Sequence, residues 1–544
     1  TEPPGIYSSA SSTSTRLIPY LSLLSLSLSP STSSSSHLTI QALVPSSSKQ
    51  DLPDNSKTKL WKLSGQVQPF HSDDDDQLAG GGRRCELNEE SLRRVQEWIK
   101  LGEERAYKGV KRNRKFHVII NPIGGKGLAK KAWETSVKPV LDASRGSTYS
   151  ISYTGPLGSP THAYALGASH DPLEFDALVS VSGDGIVHEL LNGLASQGGD
   201  GGKKGRKALR ESPIVHVSCG SGNALATSVV GNERVGDWKW CTLVGLKGNP
   251  IPIDLCSVTQ KGGKRLFSFL TQAFGLMADL DLGTEHLRFL GDFRFTLGYI
   301  QGALTRRKYP MKLTVLVENS SKQSIARRYN ESLSHGTPTT TEEEEDQGDG
   351  IPELKFGYPD EPLGEEVEEE MRKKRYLDHL PKDGEMDGEG KWWTIDLMGN
   401  TTRGGGRTGK GKGKDKGVFF LYGGKMPWIS KDVMLFPPAS PSSGFLDLCL
   451  VAPMSPLEAL TAMDSAETGS LYNHPSLLYL QTKAYRLSFP HAAKSEREEK
   501  ELGYVSIDGE KVRHEDFNVE VHKGLARVMV LEGRFAGSKP LQGV

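Results

Sequence analysis

Three glycine-rich segments of this 544-residue chain carry residue types in an order that could bind phosphate and move a proton. The first is Asn121-Pro122-Ile123-Gly124-Gly125-Lys126-Gly127. Glycines let backbone N–H groups approach phosphate oxygens, and the N-terminus of a following helix adds partial positive charge. This is not a Walker A loop, which would need Gly at 120 and Ser or Thr at 127, where the chain has Ile120 and Gly127. The second segment is Ser182-Gly183-Asp184-Gly185, with Glu189 and Asn192 further along. An Asp flanked by glycines has little steric cover, and it could take a proton from a hydroxyl or hold a metal. Gly-Asp-Gly is also an ordinary turn. The third segment runs from Cys219 through Gly220, Ser221, Gly222 and Asn223 to Ala226, and Leu225 breaks the GxGxxG fingerprint, which weighs against dinucleotide redox chemistry. Together the three loops make a polyphosphate site the economical reading.

Each loop follows a short apolar run, and a loop of use to phosphate must sit between a strand and a helix. Strands are predicted at Phe116–Ile120, Ile151–Tyr153, Ala177–Val181 and Ile214–Val217, with helices at Leu128–Leu141, His162–Gly167 and Ile186–Leu194. This alternation predicts an α/β fold with a parallel sheet and ligands at the carboxyl ends of its strands. Beyond about residue 250, β-rich runs joined by Gly/Pro turns, among them Leu266–Phe274, Gly444–Val451 and Ala526–Leu531, predict a C-terminal antiparallel β-sandwich. Asp508-Gly509 reads as a type I′ hairpin turn. The organisation expected is a mostly disordered region 1–109 with a short helix near 91–101, an α/β domain over 110–255, and a β-rich domain over 256–535. Disordered inserts are expected at Gly198–Glu211 and over 319–416, where Glu342–Asp346, Glu365–Glu370 and Gly404–Gly417 concentrate charge and glycine.

Composition narrows the class further. The 67 Lys+Arg balance 67 Asp+Glu, without the basic excess that phosphate-backbone binding requires, so no nucleic-acid partner is expected. The five cysteines, Cys85, Cys219, Cys241, Cys256 and Cys449, are odd in number and never spaced as CxxC, which points to a reduced intracellular setting. No HExxH, zinc spacing or EF-hand pattern is present, so the metal ligands stay unassigned. No apolar run reaches the roughly 18–20 residues of a membrane-spanning helix. Leu17–Leu28 has the density of a short signal-peptide core, but Ser interrupts it, Pro30 follows, and a solvated Ser/Thr/Pro-rich tail to residue 80 is the expectation.

Asn121–Gly127, Ser182–Leu194 (SGDGIVHELLNGL) and Gly220–Ser228 (GSGNALATS) resemble, in order and spacing, the catalytic domain of the sphingosine kinases, within the diacylglycerol-kinase-like lipid kinases. The resemblance continues through Phe274–Ile300 and Asp508-Gly509-Glu510. It implies an ATP-dependent, Mg²⁺-using lipid kinase that phosphorylates the primary hydroxyl of a sphingoid long-chain base, with ATP and lipid bound between the two domains. Diacylglycerol or ceramide as substrate, or a non-catalytic lipid-binding protein of the same fold, are the alternatives. The resemblance implies that Asp184 is the base, with Ser182, Gly183 and Asp281 close to the substrate head group. Nucleotide contacts are implied for Asn121, Pro122, Ile123, Gly124, Gly125, Thr154, Glu189, Gly220, Arg288, Arg294, Asp508, Gly509 and Glu510. Such a substrate implies cytoplasmic placement with peripheral membrane contact; no oligomeric state is implied.

Overall fold

The computed structural model describes residues 5–8, 15–19, 23–31, 35–45, 58–67, 89–124, 127–144, 146–198, 202–283, 293–305, 307–334, 348–361, 368–369, 376–377, 379–382, 384–386, 390–398 and 417–541. Strands β1 (Leu23–Ser31), β2 (Ser35–Pro45) and β3 (Thr58–Val67) form an antiparallel sheet where composition predicts a solvated tail. The Leu/Ser alternation that argues against a signal core has the period of two of a strand, and Leu23, Leu24, Ser25 and Leu26 are all buried. Leu24 and Leu43 join the core of the α/β domain. Helix α1 (Glu89–Ala106) covers and extends the helix expected near 91–101, and Lys247 Nζ donates to the carbonyl of its last residue, Ala106, at 2.7 Å.

The parallel layer consists of β4 (Lys115–Ile120), β5 (Thr148–Tyr153), β6 (Ala177–Ser182) and β7 (Ile214–Ser218). Their spatial order is β5-β4-β6-β7, all parallel. The chain leaves β4 for β5 on one side and returns across it to β6 on the other. The switch point therefore falls between β4 and β6, where a doubly wound sheet opens a crevice at its carboxyl edge. Both β6 and β7 are buried along their whole length, as a strand covered by helices on both faces requires. Helix α2 (Asp184–Ala195) follows β6, and α3 (Lys203–Glu211) lies inside the insert expected to be disordered. Its Lys/Arg-rich sequence needs only a narrow apolar stripe, and Ala208 and Leu209 supply it while Gly205 closes on the Ala195 carbonyl of α2. Helix α4 (Ala224–Val230) follows β7.

The antiparallel part comprises β8 (Asn249–Gln260), β9 (Lys264–Ser268) and β10 (Thr271–Gly275), then β11 (Lys312–Asn319), β12 (Lys391–Asp396), β13 (Phe420–Gly424), β14 (Leu446–Val451) and β15 (Leu477–Ser488). It ends in β16 (Val505–Ile507), β17 (Glu510–Val512) and β18 (Phe517–Val530). Between β10 and β11 lie two helices, Leu276–Gly283 and Phe293–Thr305. Within the predicted 319–416 insert, the helix Lys322–Ser334 and β12 are ordered, and β12 pairs with β11 through Lys312↔Asp396 to Val317↔Lys391. Pairing is continuous between the two halves. Strand β18 runs antiparallel to β8 and β15 and meets the parallel layer at Val528↔Ile214. The result is one mixed α/β assembly with a parallel core and antiparallel strands joined through β18.

A buried ion pair braces this junction. Lys425 Nζ lies 2.7 Å from Asp254 Oδ2 on β8, and both side chains are essentially without exposed surface. Asp254 also accepts the N–H groups of Gly444 at 2.7 Å and Gly524 at 2.9 Å, while Lys425 donates to the Phe445 carbonyl. Removing one partner strands the other charge in a low-dielectric interior. Lys425→Met is expected to lower unfolding free energy by about 3–5 kcal/mol, and Lys425→Met/Asp254→Leu to recover part of that loss. Urea denaturation measures both; a single-variant loss under about 1 kcal/mol would contradict the assignment.

Candidate active site

Four loops that carry predicted site residues leave the carboxyl ends of the four parallel strands. After β4, the Asn121 N–H donates to the Val181 carbonyl of β6 at 3.2 Å, and Asn121 Oδ1 accepts the N–H groups of Ile123 and Gly124 at 3.1 and 3.0 Å. This Asx turn folds the first glycine loop back over the sheet edge. Pro122 is half-buried there and Ile123 is 83% exposed. After β5, the Thr154 N–H donates to the Ile120 carbonyl at 2.9 Å, which joins Thr154 to the base of the same loop.

The second and third loops touch backbone to backbone. A Cβ on Gly220 would lie 2.5 Å from the Gly183 Cα, and one on Gly183 would lie 3.1 Å from the Gly220 Cα. At Gly220 only glycine fits without a shift of the facing backbone. Asn223, at φ 57°, holds the turn by accepting the Gly220 N–H and donating to the Gly220 carbonyl, both at 2.8 Å. The loops so joined carry Asp184. Its Oδ2 accepts the Ala224 N–H at 2.9 Å and its Oδ1 the Leu225 N–H at 3.1 Å, and the side chain is 11% exposed. The carboxylate thus sits in the first turn of α2 and against the first turn of α4, where unpaired N–H groups favour negative charge. Gly222 keeps the approach open, since a Cβ there would lie 3.2 Å from Asp184 Oδ2. Beneath it, His216 on β7 places Nδ1 3.6 Å from Asp184 Oδ1 and Nε2 3.1 Å from the Ser182 carbonyl.

The β16–β17 hairpin from the antiparallel part completes the arrangement. Asp508 and Gly509 both have positive φ, 52° and 86°, as the predicted type I′ turn demands. Glu510 reaches the second glycine loop: a Cβ on Gly185 would lie 3.1 Å from Glu510 Oε1. On α2, Glu189 has its Oε2 buried without a hydrogen bond, 3.4 Å from His162 Nε2. Burial pushes the Glu189 carboxyl up, the charge of Glu510 adds to this, and His162 pulls the other way. Asp281 accepts the Ser506 hydroxyl at 2.8 Å and lies 3.8 Å from the position a Cβ would take on Gly509.

Two predicted ligands turn inward instead. Asp508 has no exposed side-chain surface; its carboxylate accepts from Ser268 Oγ at 2.6 Å, from the N–H groups of Phe269, Leu270 and Thr271, and from His188 Nδ1 at 2.8 Å. With every lone pair directed into the protein, it positions the turn rather than offering oxygens to a nucleotide. The Ser182 hydroxyl is likewise buried, against Ser180 Oγ at 2.7 Å and the Gly183 carbonyl at 2.9 Å. Gly125, Arg288 and the side chain of Arg294 lie outside the described residues. Sequence reasoning missed His188 and His216. His188 stands four residues after Asp184 and four before Asn192, whose amide brackets Phe267 by accepting its N–H and donating to its carbonyl, both at 2.8 Å. That i, i+4, i+8 stripe of polar residues on a core helix is the available signal. His216, alone in the apolar run of β7, is the other.

Burial pulls the His188 ring down, but the hydrogen bond and charge of Asp508 outweigh it, so the ring titrates above its ordinary value. A raised value means the pair stabilises the fold fully below the ordinary histidine range and loses that contribution as pH rises through the folded value. Asp508→Asn is expected to cost about 2–4 kcal/mol near pH 6. In urea titrations the gap to the parent should narrow toward about pH 9, and a gap independent of pH would show that His188 carries no charge.

The family described as the diacylglycerol kinase catalytic domain matches residues 115–258, which take in β4 through most of β8. Sphingoid long chain base kinase 5 of Saccharomyces cerevisiae is 29% identical over 465 residues, 79% of this chain and 61% of that protein. Sphingoid long chain base kinase 4 of Schizosaccharomyces pombe is 27% identical over 76% of this chain and 75% of its own length. Human sphingosine kinase 1 is 36% identical over 206 residues, 37% of this chain and 51% of that protein. The chain thus spans between half and three quarters of the length of these relatives. Residues 115–258 thus match the diacylglycerol kinase catalytic-domain family, and the chain is similar in sequence to the sphingoid long-chain base kinases.

Proposed function

We propose that this chain is an ATP-dependent lipid kinase that phosphorylates the primary hydroxyl of sphingosine or a related sphingoid long-chain base, giving the 1-phosphate. The observation that carries the reading is Asp184. It is an anchored carboxylate beside the sheet's switch point, on a loop that touches a second glycine loop, in a chain homologous to kinases named for sphingoid bases. The loops at Asn121, Gly183 and Gly220 orient a triphosphate through backbone N–H groups. Asp184 takes the hydroxyl proton as the oxygen attacks. Asp281, on a helix of the antiparallel part, is the group that would pair with the ammonium of a sphingoid head, which a diacylglycerol lacks.

ATP supplies the phosphoryl group, and Mg²⁺ offsets its charge. Among the described residues no group of three His, Cys, Asp or Glu side chains could hold a metal by itself. The residues suit an ion carried by the phosphates, which commonly adds only one or two protein carboxylates. Glu189, with a buried oxygen lacking a hydrogen bond, and the neighbouring Glu510 are the carboxylates that would face it. Among the described residues no helix is long and apolar enough to cross a membrane, so the proposal includes peripheral contact with the bilayer holding the lipid. Cys219, Cys241, Cys256 and Cys449 are unpaired thiols, which supports an intracellular setting.

Transfer of labelled phosphate from ATP to a panel of sphingosine, ceramide and diacylglycerol tests the reading. Sphingosine should be the preferred acceptor, and Asp184→Asn should lower turnover by about 10²–10⁴-fold while ATP binding is retained. A variant with near-parental turnover would remove Asp184 as the base. Asp281→Asn should weaken use of the cationic base far more than of a neutral lipid. Equal effects, or a parental preference for diacylglycerol or ceramide, would favour a neutral-lipid kinase, and absence of transfer to any lipid a non-catalytic lipid-binding protein.

A further inference from the structure

We propose that His216 is a positioning residue for proton transfer at Asp184, its Nδ1 accepting a hydrogen bond from the Asp184 carboxyl once that group has taken the substrate proton. The inference rests on the reading of Asp184 as the base. Strand β7 is buried throughout, and the His216 side chain is 1% exposed. The Ser182 carbonyl, 3.1 Å from Nε2, can only accept, so Nε2 carries the hydrogen. In the neutral ring Nδ1 then holds a lone pair. It is buried, makes no hydrogen bond, and lies 3.6 Å from Asp184 Oδ1.

A lone pair facing an ionised carboxylate gains nothing, but a proton on Oδ1 converts the contact into an O–H···N hydrogen bond. The imidazole thereby favours the protonated form of Asp184. The N–H groups of Ala224 and Leu225 act in the opposite sense, favouring the anion and weakening it as a base. Burial holds the ring below its ordinary value, against the upward pull of Asp184, the charged group that acts on it, so the ring stays neutral and able to accept. In the reaction the hydroxyl oxygen forms the new O–P bond while the bond from the γ-phosphorus to the bridging oxygen breaks. ADP keeps that electron pair. The hydroxyl proton passes to Asp184 Oδ1, is shared with His216 Nδ1, and leaves to solvent with the products.

The test separates the two ring nitrogens. In His216→Gln an amide N–H can still reach the Ser182 carbonyl, with nothing at the Nδ1 position. In His216→Asn a carbonyl oxygen stands near Nδ1 and the Ser182 bond is lost. The glutamine variant is expected to lower kcat about tenfold, with KM for ATP and sphingosine within about twofold of the parent. Its acidic limb should move to lower pH, because an Asp184 without its acceptor is a weaker base. The asparagine variant should recover most of the lost kcat. Equal losses in both variants with an unshifted limb, or parental behaviour of the glutamine variant, overturn the proposal. NMR of ¹⁵N-histidine-labelled parent protein needs no variant to fold: near pH 7, by about the ordinary histidine range, Nε2 should be protonated and Nδ1 bare, and the opposite tautomer or a doubly protonated ring overturns it. Failure of the underlying reading looks different, since turnover that survives Asp184→Asn removes the base whatever the His216 variants do.

Discussion

The carboxylate of Asp508 sits where the two halves of the molecule meet. Through His188 it holds α2, which begins with Asp184; through Ser268 and the N–H groups of Phe269, Leu270 and Thr271 it closes the turn between β9 and β10; and its own N–H donates to the Thr271 carbonyl. An unpaired charge so deep would be strongly destabilising, so the geometry of all its donors is fixed together. Asn192, one turn beyond His188, repeats the link by bracketing Phe267. The orientation of α2 relative to the antiparallel sheet is therefore set by polar contacts of defined direction, where apolar packing alone would tolerate sliding.

This rigidity lets the site be built from backbone. The Gly183–Gly220 contact leaves no room for a side chain, and Asn223 spends both ends of its amide on Gly220. Asp184 is then fixed by two N–H groups rather than by packing. Such an arrangement demands that β6 and β7 keep their register, Val181↔Val217 and Ser182↔Ser218, because a shift of one residue would turn each side chain to the opposite face. Full burial of both strands supplies that constraint.

Much of this was legible in the sequence, and the reasons are local. A strand, a glycine loop and a helix leave their pattern within about thirty residues, so β4, β6, β7 and their loops could be read directly. The Asp508-Gly509 turn is equally local. Its partner His188 lies 320 positions away, and no local periodicity announces a contact of that kind. Composition misled elsewhere: Ser among the leucines of β1 and Lys/Arg in α3 resemble solvated sequence, although a single apolar face is enough for burial, as Leu24 and Leu209 show. The helices Leu276–Gly283 and Phe293–Thr305 had no assignment in the sequence, because apolar density is common to buried strands and buried helices, and only length and spacing separate them.

The β16–β17 hairpin gathers three further sets of contacts. Its first strand carries Ser506, which donates to Asp281; its turn carries Asp508, the hub of the domain junction; and its second strand begins with Glu510, beside Gly185 of the loop that presents Asp184. On the proposed function these positions face, in order, the lipid head, the scaffold and the nucleotide. The three sets of contacts lie within five residues of one tight turn, and β16 is itself tied to β10 through Gln272↔Ile507, Ala273↔Ser506 and Phe274↔Val505. A displacement of the hairpin would move the Asp281 partner and the Glu510 carboxylate together. On the proposed function, recognition of a cationic head and alignment of the phosphate would thus be mechanically one requirement, met by a turn in which Asp508 and Gly509 both have positive φ.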